Sequence, residues 1–307
     1  MFNPGSISVL ISLVLGFGLA IPSNTLIVIV NLESIRKKGK LSPSDVIFMA
    51  KGIVNILLQG FMAFQGVTYV TSSVLLYSRE GYAFVILSIY FLTYFSFWLT
   101  LWLSVYYCTT ITNLSYRFFI WLKRIVSNFL SQVLFLTALA IFPVSFLNIW
   151  VFNDESQIQS TKNSTEASII RVLYNGNYPY FVPVTFLGCI LPFCLSLLCL
   201  LLTFSFLVRH VWRVKNNDSG SSRPNLQAHV TALRTIFFLL LMFTSFSISQ
   251  VLIFIITSQE TVIQTVSWNL QLLSPLVEAA VIFQASNKLK RIILRRFWTR
   301  SWRNSET

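Results

Sequence analysis

The sequence predicts an all-α membrane protein: a bundle of seven transmembrane helices with an extracellular N-terminus, a cytoplasmic C-terminus and a short amphipathic helix at the C-terminal end. Three observations predict it. Of the 307 residues, 55% are hydrophobic and only 11% are charged, against about 25% charged in an ordinary soluble domain. Seven apolar stretches are each long enough, at about 1.5 Å per residue, to cross a hydrocarbon core of about 30 Å. Nineteen of the 23 Lys and Arg residues fall in the intervening segments on one side of those stretches. The net charge of +13 is then the mark of a cytoplasmic face, not the footprint of a nucleic-acid partner.

The spans are expected at 6–30, 45–70, 82–112, 125–151, 180–208, 232–257 and 261–285. The first is followed by Arg36, Lys37, Lys38 and Lys40, the third by Arg117, Lys123 and Arg124. The fifth is followed by Arg209, Arg213, Lys215, Arg223 and Arg234, and the seventh by Lys288, Lys290, Arg291, Arg295, Arg296, Arg300 and Arg303. The opposite side holds only Arg79, Lys162 and Arg171. The positive-inside rule therefore places the N-terminus outside and the tail in the cytosol. The first apolar run is too long and lacks the basic start of a cleavable signal, so it is expected to act as the insertion signal itself. No internal repeat is visible, and an odd number of helices argues against a simple inverted repeat. Residues 1–285 form the bundle, and 286–307 a basic tail in which Leu289, Ile292, Ile293, Phe297 and Trp298 alternate with cations, as in a helix lying on the inner leaflet.

Few residues point to covalent or metal chemistry. Cys108, Cys189, Cys194 and Cys199 all lie within spans, so no outer-loop disulfide is expected and small-residue packing explains them. His210 and His229 are far in sequence from Cys108, and no metal or cofactor is implied. No nucleophile, metal cluster or acid pair faces a common cavity, which argues against an enzyme. The long polar loop 152–179 carries Asn163-Ser164-Thr165, a glycosylation acceptor on the predicted outer side. The matching triplets at Asn113 and Asn217 fall on the cytosolic side and should stay bare.

The third span carries Phe95-Ser96-Phe97-Trp98-Leu99 and Leu103-Ser104-Val105-Tyr106-Tyr107, continuing through Ile111, Asn113, Ser115, Phe119 and Trp121-Leu122-Lys123. The fifth carries Leu191-Pro192-Phe193, Ser196-Leu197, Leu202, Ser205-Phe206 and His210. His229 to Arg234 opens the sixth, Asn24 with Val30-Asn31 marks the first, Leu41-Ser42 with Asp45 opens the second, and Lys288-Leu289-Lys290 closes the seventh. Over nearly the whole chain this pattern resembles the type 2 (bitter) taste receptors, a family of G-protein-coupled receptors. The chain departs from the family's usual Arg at Asn55, its His-Ser at Glu278-Ala279, its Lys at Thr110, and its Trp and Asn at Ile89 and Thr93. It thus looks like a divergent member with an altered ligand-facing third span. The resemblance implies a chemosensory receptor for small, mostly bitter molecules that activates a heterotrimeric G protein of the gustducin or inhibitory type. A vomeronasal type 1 pheromone receptor and a small-solute transporter are the alternatives.

In the outer half of the bundle, Ile89, Thr93 and Tyr94 of the third span, Phe186 of the fifth, Phe246 and Gln250 of the sixth, and Gln264, Trp268 and Gln271 of the seventh are candidates to line a ligand pocket. Phe246–Gln250 and Gln264–Trp268 are i, i+4 pairs, each on one helix face. Rings and amides converging between helices suit small amphipathic ligands, although the same residues also serve as packing and interhelical glue. No acid stands in this layer to pair with an amine; Glu80 and Glu260 are loop residues at the rim. In the inner half, Lys51 and Glu278 fall at equal depth, near Asn24 and Asn55. A Lys51–Glu278 ion pair is one reading; the other has Lys51 snorkelling to the interface and Glu278 protonated. At the cytosolic face, Tyr106, Tyr107, Thr110, Asn113, Arg209, His210 and Arg234 are expected to surround the cleft that opens for a G protein. Membrane lipid is a second partner for the basic residues there.

Overall fold

The computed structural model describes residues 4–71, 79–112, 117–159, 183–217, 234–235, 237–238, 240–241, 244–245, 248, 261–286 and 288–291. The ordered elements are helices α1 (Pro4–Leu15), α2 (Ile21–Lys38), α3 (Pro43–Thr71), α4 (Arg79–Ile111), α5 (Arg117–Asn128), α6 (Leu130–Gln159), α7 (Leu191–Asn217) and α8 (Thr261–Ala285). Two π-helical turns are built in: Gly16–Ala20 joins α1 to α2, and Phe186–Ile190 leads into α7. Six helices among the described residues are long and apolar enough to cross a membrane. Of the predicted span 232–257 only scattered residues fall within the described set, and the tail beyond 291 lies outside it.

Several boundaries differ from the hydropathy pattern, for local reasons. The first span does not end at residue 30: α2 runs on to Lys38, so Arg36 and Lys37 ride on its last turn rather than in a loop. It stops at Gly39, which takes the left-handed conformation (φ 69°) and donates its N–H to the carbonyl of Ile35; glycine adopts that geometry without steric cost. The fourth span does not start at residue 125, because Ile125 to Asn128 belong to the separate helix α5, and α6 begins at Leu130. Helix α5 presents Arg117, Lys123 and Arg124 to solvent and buries Val126, so it is amphipathic where a membrane-crossing helix would be apolar all round.

Helix α4 is the centre of the bundle and packs against α3, α5, α6 and α7, while α8 packs against α1, α2 and α3. The sides facing outward are apolar: Phe135 and Leu136 of α6 are 65% and 62% exposed. The interior holds Asn24, Lys51, Asn55, Gln59 and Glu278, all buried. This inverts the arrangement of a water-soluble protein and is what a hydrocarbon solvent demands, since polar side chains there must find partners inside.

Candidate functional site

On α3, Lys51, Asn55 and Gln59 stand at i, i+4 and i+8 and therefore share one face. That face carries a polar cluster in the core. Lys51 is 0% exposed, so it does not snorkel to the surface. Its Nζ lies 3.1 Å from Glu278 Oε2 on α8 and donates to Ser96 Oγ on α4 at 3.0 Å. One turn along, Asn55 Nδ2 donates to Asn24 Oδ1 at 3.2 Å. Asn24 Nδ2 in turn donates to the carbonyls of Ala20 (2.8 Å) and Pro275 (3.2 Å). Four helices are thus tied by two clusters one turn apart on α3, Lys51 with Ser96 and Glu278, and Asn55 with Asn24. An isolated charge at this depth would cost several kcal/mol, and each member has a partner that offsets this. Ser96 is the participant that the sequence reading missed; its signal was its depth on α4, level with Lys51.

Toward the opposite end, Ile89, Thr93, Tyr94, Trp268 and Gln271 are all buried in the bundle. Thr93 Oγ1 and Gln271 Nε2 have no hydrogen-bond partner among the described residues, and the same holds for both amide atoms of Gln59 and for Ser267 Oγ. Tyr94 lies against Gly188 so closely that a Cβ there would meet the ring at 2.6 Å. Trp98 Nε1 donates to the Leu187 carbonyl at 3.2 Å in the same π turn. Phe186, expected to face the pocket, opens this turn and is 47% exposed, while Gly188 meets Tyr94. One extra residue in a turn re-phases a helix face by about 100°. Phe246 and Gln250 lie outside the described residues, as does the side chain of Gln264.

At the basic end, Tyr106 and Tyr107 are half-buried on α4, their ring centroids 5.4 Å apart. Thr110 is exposed and its hydroxyl donates to the Tyr106 carbonyl at 2.7 Å. Arg209 and Arg234 are exposed, and the Arg234 guanidinium sits 5.5 Å from the centre of the Phe238 ring. Lys288 Nζ donates to Asn31 Oδ1 at 3.0 Å and lies 3.9 Å from Asp45, which ties the residues after α8 to α2 and α3. Asn113, the side chain of His210 and the acceptor Asn163 lie outside the described residues.

A buried ion pair joining α3 to α8 beneath a layer of aromatic and amide side chains suits a helical sensor better than a soluble catalyst. A family profile described as "Taste receptor protein (TAS2R)" matches residues 1–301. The chain belongs to the type 2 taste receptor family. Among its relatives is taste receptor type 2 member 8 of Pan paniscus, 28% identical over 303 residues that cover 96% of each chain. The Homo sapiens member 8 is 27% identical over 302 residues, again 96% of each chain. Member 40 of Gallus gallus is 26% identical over 226 residues, 73% of this chain and 72% of that one. The chain is accordingly a multi-pass plasma-membrane receptor of the bitter-taste class of G-protein-coupled receptors, and not an enzyme. The pheromone-receptor and transporter readings are not favoured, since the matches are to taste receptors along nearly the whole chain.

Proposed function

We propose that this taste receptor binds small, uncharged bitter molecules in the outer half of a seven-helix bundle. It then activates a heterotrimeric G protein of the gustducin or inhibitory type from its basic, cytoplasmic end. The observation that carries the reading is the combination of buried ring area with unpartnered hydrogen-bonding groups on one side of the Lys51–Glu278 pair. Trp268 and Tyr94 supply apolar surface; Thr93 and Gln271 supply polar atoms that lack a partner among the described residues. Rings give a ligand contact area and a few placed polar groups fix its orientation. Ile89 belongs to the same wall, with Gln264, Phe246 and Gln250 completing it from the seventh and sixth spans.

In this reading the N-terminus is extracellular, Asn163 is a glycan acceptor in the outer loop, and 286–307 forms an amphipathic helix on anionic inner-leaflet lipid. Tyr106, Tyr107, Thr110, Asn113, Arg209, His210 and Arg234 line the coupling cleft. The deep pair holds α3 and α8 in register between the two ends. Calcium imaging of cells expressing the chain with a promiscuous G protein tests the proposal against a panel of bitter compounds. At least one uncharged compound is expected to give a saturable response. Silence across the panel from a receptor shown to be at the cell surface would overturn it.

A further inference from the structure

Gln59 is the one fully buried amide whose two polar atoms both lack a hydrogen-bond partner among the described residues. Leaving such atoms unmet is costly, and a buried polar group without a partner asks for an explanation. Helix register says what else stands at its level. Gln59 lies eight residues along α3 from Lys51, and Gln271 lies seven before Glu278 on α8. With Lys51 and Glu278 in contact, both glutamines sit roughly 10 to 12 Å above the ion pair. Ile89, seven residues before Ser96 on α4, shares that level, and Thr93 is one turn below it. Lys51 bridges α4 and α8 at the base by bonding Ser96 on one and Glu278 on the other. Higher on α3 the stripe rotates toward α2 and the first π turn: Asn55 meets Asn24, and Gln59 lies against Gly16, close to the Leu272 carbonyl of α8.

Two backbone features keep this layer polar. Gly16 sits in the π turn beside Gln59, where a Cβ would meet Gln59 Nε2 at 2.5 Å and the Leu272 carbonyl at 2.7 Å. Glycine is what lets the amide occupy that position. On α8, Pro275 carries no N–H for the carbonyl of Gln271, four residues earlier. The only charges near the layer among the described residues are Lys51 and Glu278, and these are engaged with each other.

We infer that Gln59 and Gln271, from adjoining helices at one level, form an amide-lined subsite for a neutral ligand group that both donates and accepts hydrogen bonds: a carboxamide, lactam or urea. Gln59 presents a donor and an acceptor from one side chain, and Gln271 adds a donor from the facing helix. A cationic or anionic group finds no counter-charge there and is disfavoured by desolvation. The inference rests on the reading that ligands enter the outer half of the bundle.

The test uses the full-length receptor in lipid nanodiscs and three probes of similar shape: benzamide (donor and acceptor), acetophenone (acceptor only) and ethylbenzene (neither). Affinities come from saturation-transfer NMR titration. Benzamide is expected to bind wild type at least about tenfold more tightly than ethylbenzene, since two neutral hydrogen bonds are worth about one decade, and about threefold more tightly than acetophenone, which lacks one of them. Gln59→Met and Gln271→Met, close in volume, should each erase most of the preference for benzamide over ethylbenzene. No benzamide binding, an equal affinity for the three probes, or a preference that survives both substitutions overturns the subsite. If both variants fail to fold, the wild-type ranking alone decides. Agonist-driven nucleotide exchange on a G protein is measured in the same preparation. Intact exchange without the benzamide preference sinks the subsite alone, whereas absent exchange with every panel compound sinks the receptor reading beneath it.

Discussion

Breaking the Lys51–Glu278 pair is the most direct test of how this bundle is held together. At a separation of 3.1 Å and an effective dielectric of about 20, the attraction between the two charges is about 5 kcal/mol. That gain is offset by the several kcal/mol each ion loses in leaving water, so the pair as a whole is worth little relative to an apolar pair of the same size. A single substitution is a different matter. Lys51→Met leaves the Glu278 carboxylate buried without its cation, and Glu278→Gln strands the ammonium. Each should cost about 3 to 5 kcal/mol. The double variant Lys51→Met with Glu278→Gln removes both charges together and should cost much less than the sum. The coupling energy is then expected to be at least about 3 kcal/mol, near the top of the range for residues in direct contact. The assay is thermal unfolding of detergent-purified receptor, read by tryptophan fluorescence, for the four members of the cycle. At roughly 2 °C per kcal/mol for a chain of this size, each single variant should unfold about 6 °C or more below wild type. The double variant should recover most of that. Losses that simply add, or a wild-type melting temperature in Lys51→Met, would mean that the two groups act independently and that the short distance carries no energy.

Three further outcomes follow from particular residues. Asn163 should carry an N-linked glycan: treatment with an N-glycosidase is expected to shift wild type on a gel and leave Asn163→Gln unshifted, and a shift that persists in the variant would refute the assigned orientation of that loop. Trp268→Ala removes a buried indole worth about 2 to 4 kcal/mol at a binding hot spot and should raise the half-maximal agonist concentration at least about tenfold at matched surface expression; an unchanged dose response would move the pocket elsewhere. Gly188→Val places branched carbon atoms where even a Cβ would meet the Tyr94 ring at 2.6 Å, so an overpacking cost of about 1 to 3 kcal/mol should appear as a lower melting temperature, and full tolerance would refute the close approach of that turn to α4.

What the sequence by itself determined was whatever depends on composition and order along the chain. Length and apolarity of the stretches, with the one-sided placement of Arg36 to Lys40 and of Lys288 to Arg303, predicted membrane-crossing helices because lipid penalises every unpaired backbone group and every stray charge alike. The run from Phe95 to Lys123 pointed to the taste-receptor family, to which the chain does belong. Depth was also legible: counting residues from the ends of the spans put Lys51 and Glu278 on one level.

The facing of each side chain was not legible, because it depends on helix rotation and on where a helix departs from 3.6 residues per turn. The π turn at Phe186–Ile190 brings Gly188 in against Tyr94, and nothing in the spacing Leu-Gly-Cys-Ile announces an extra residue in a turn. Hydropathy ran α5 into α6 because Ile125 and Val126 are apolar, although the chain breaks at Phe129 between them. Whether Lys51 snorkels or pairs was likewise open until α3, α4 and α8 were brought side by side, where Ser96 and Glu278 both reach its ammonium. The Gln59 amide passed unnoticed although it continues the stripe of Lys51 and Asn55 at i+8. A polar side chain in a helix has the same spacing whether it meets a partner or meets none, and only the packed bundle distinguishes the two.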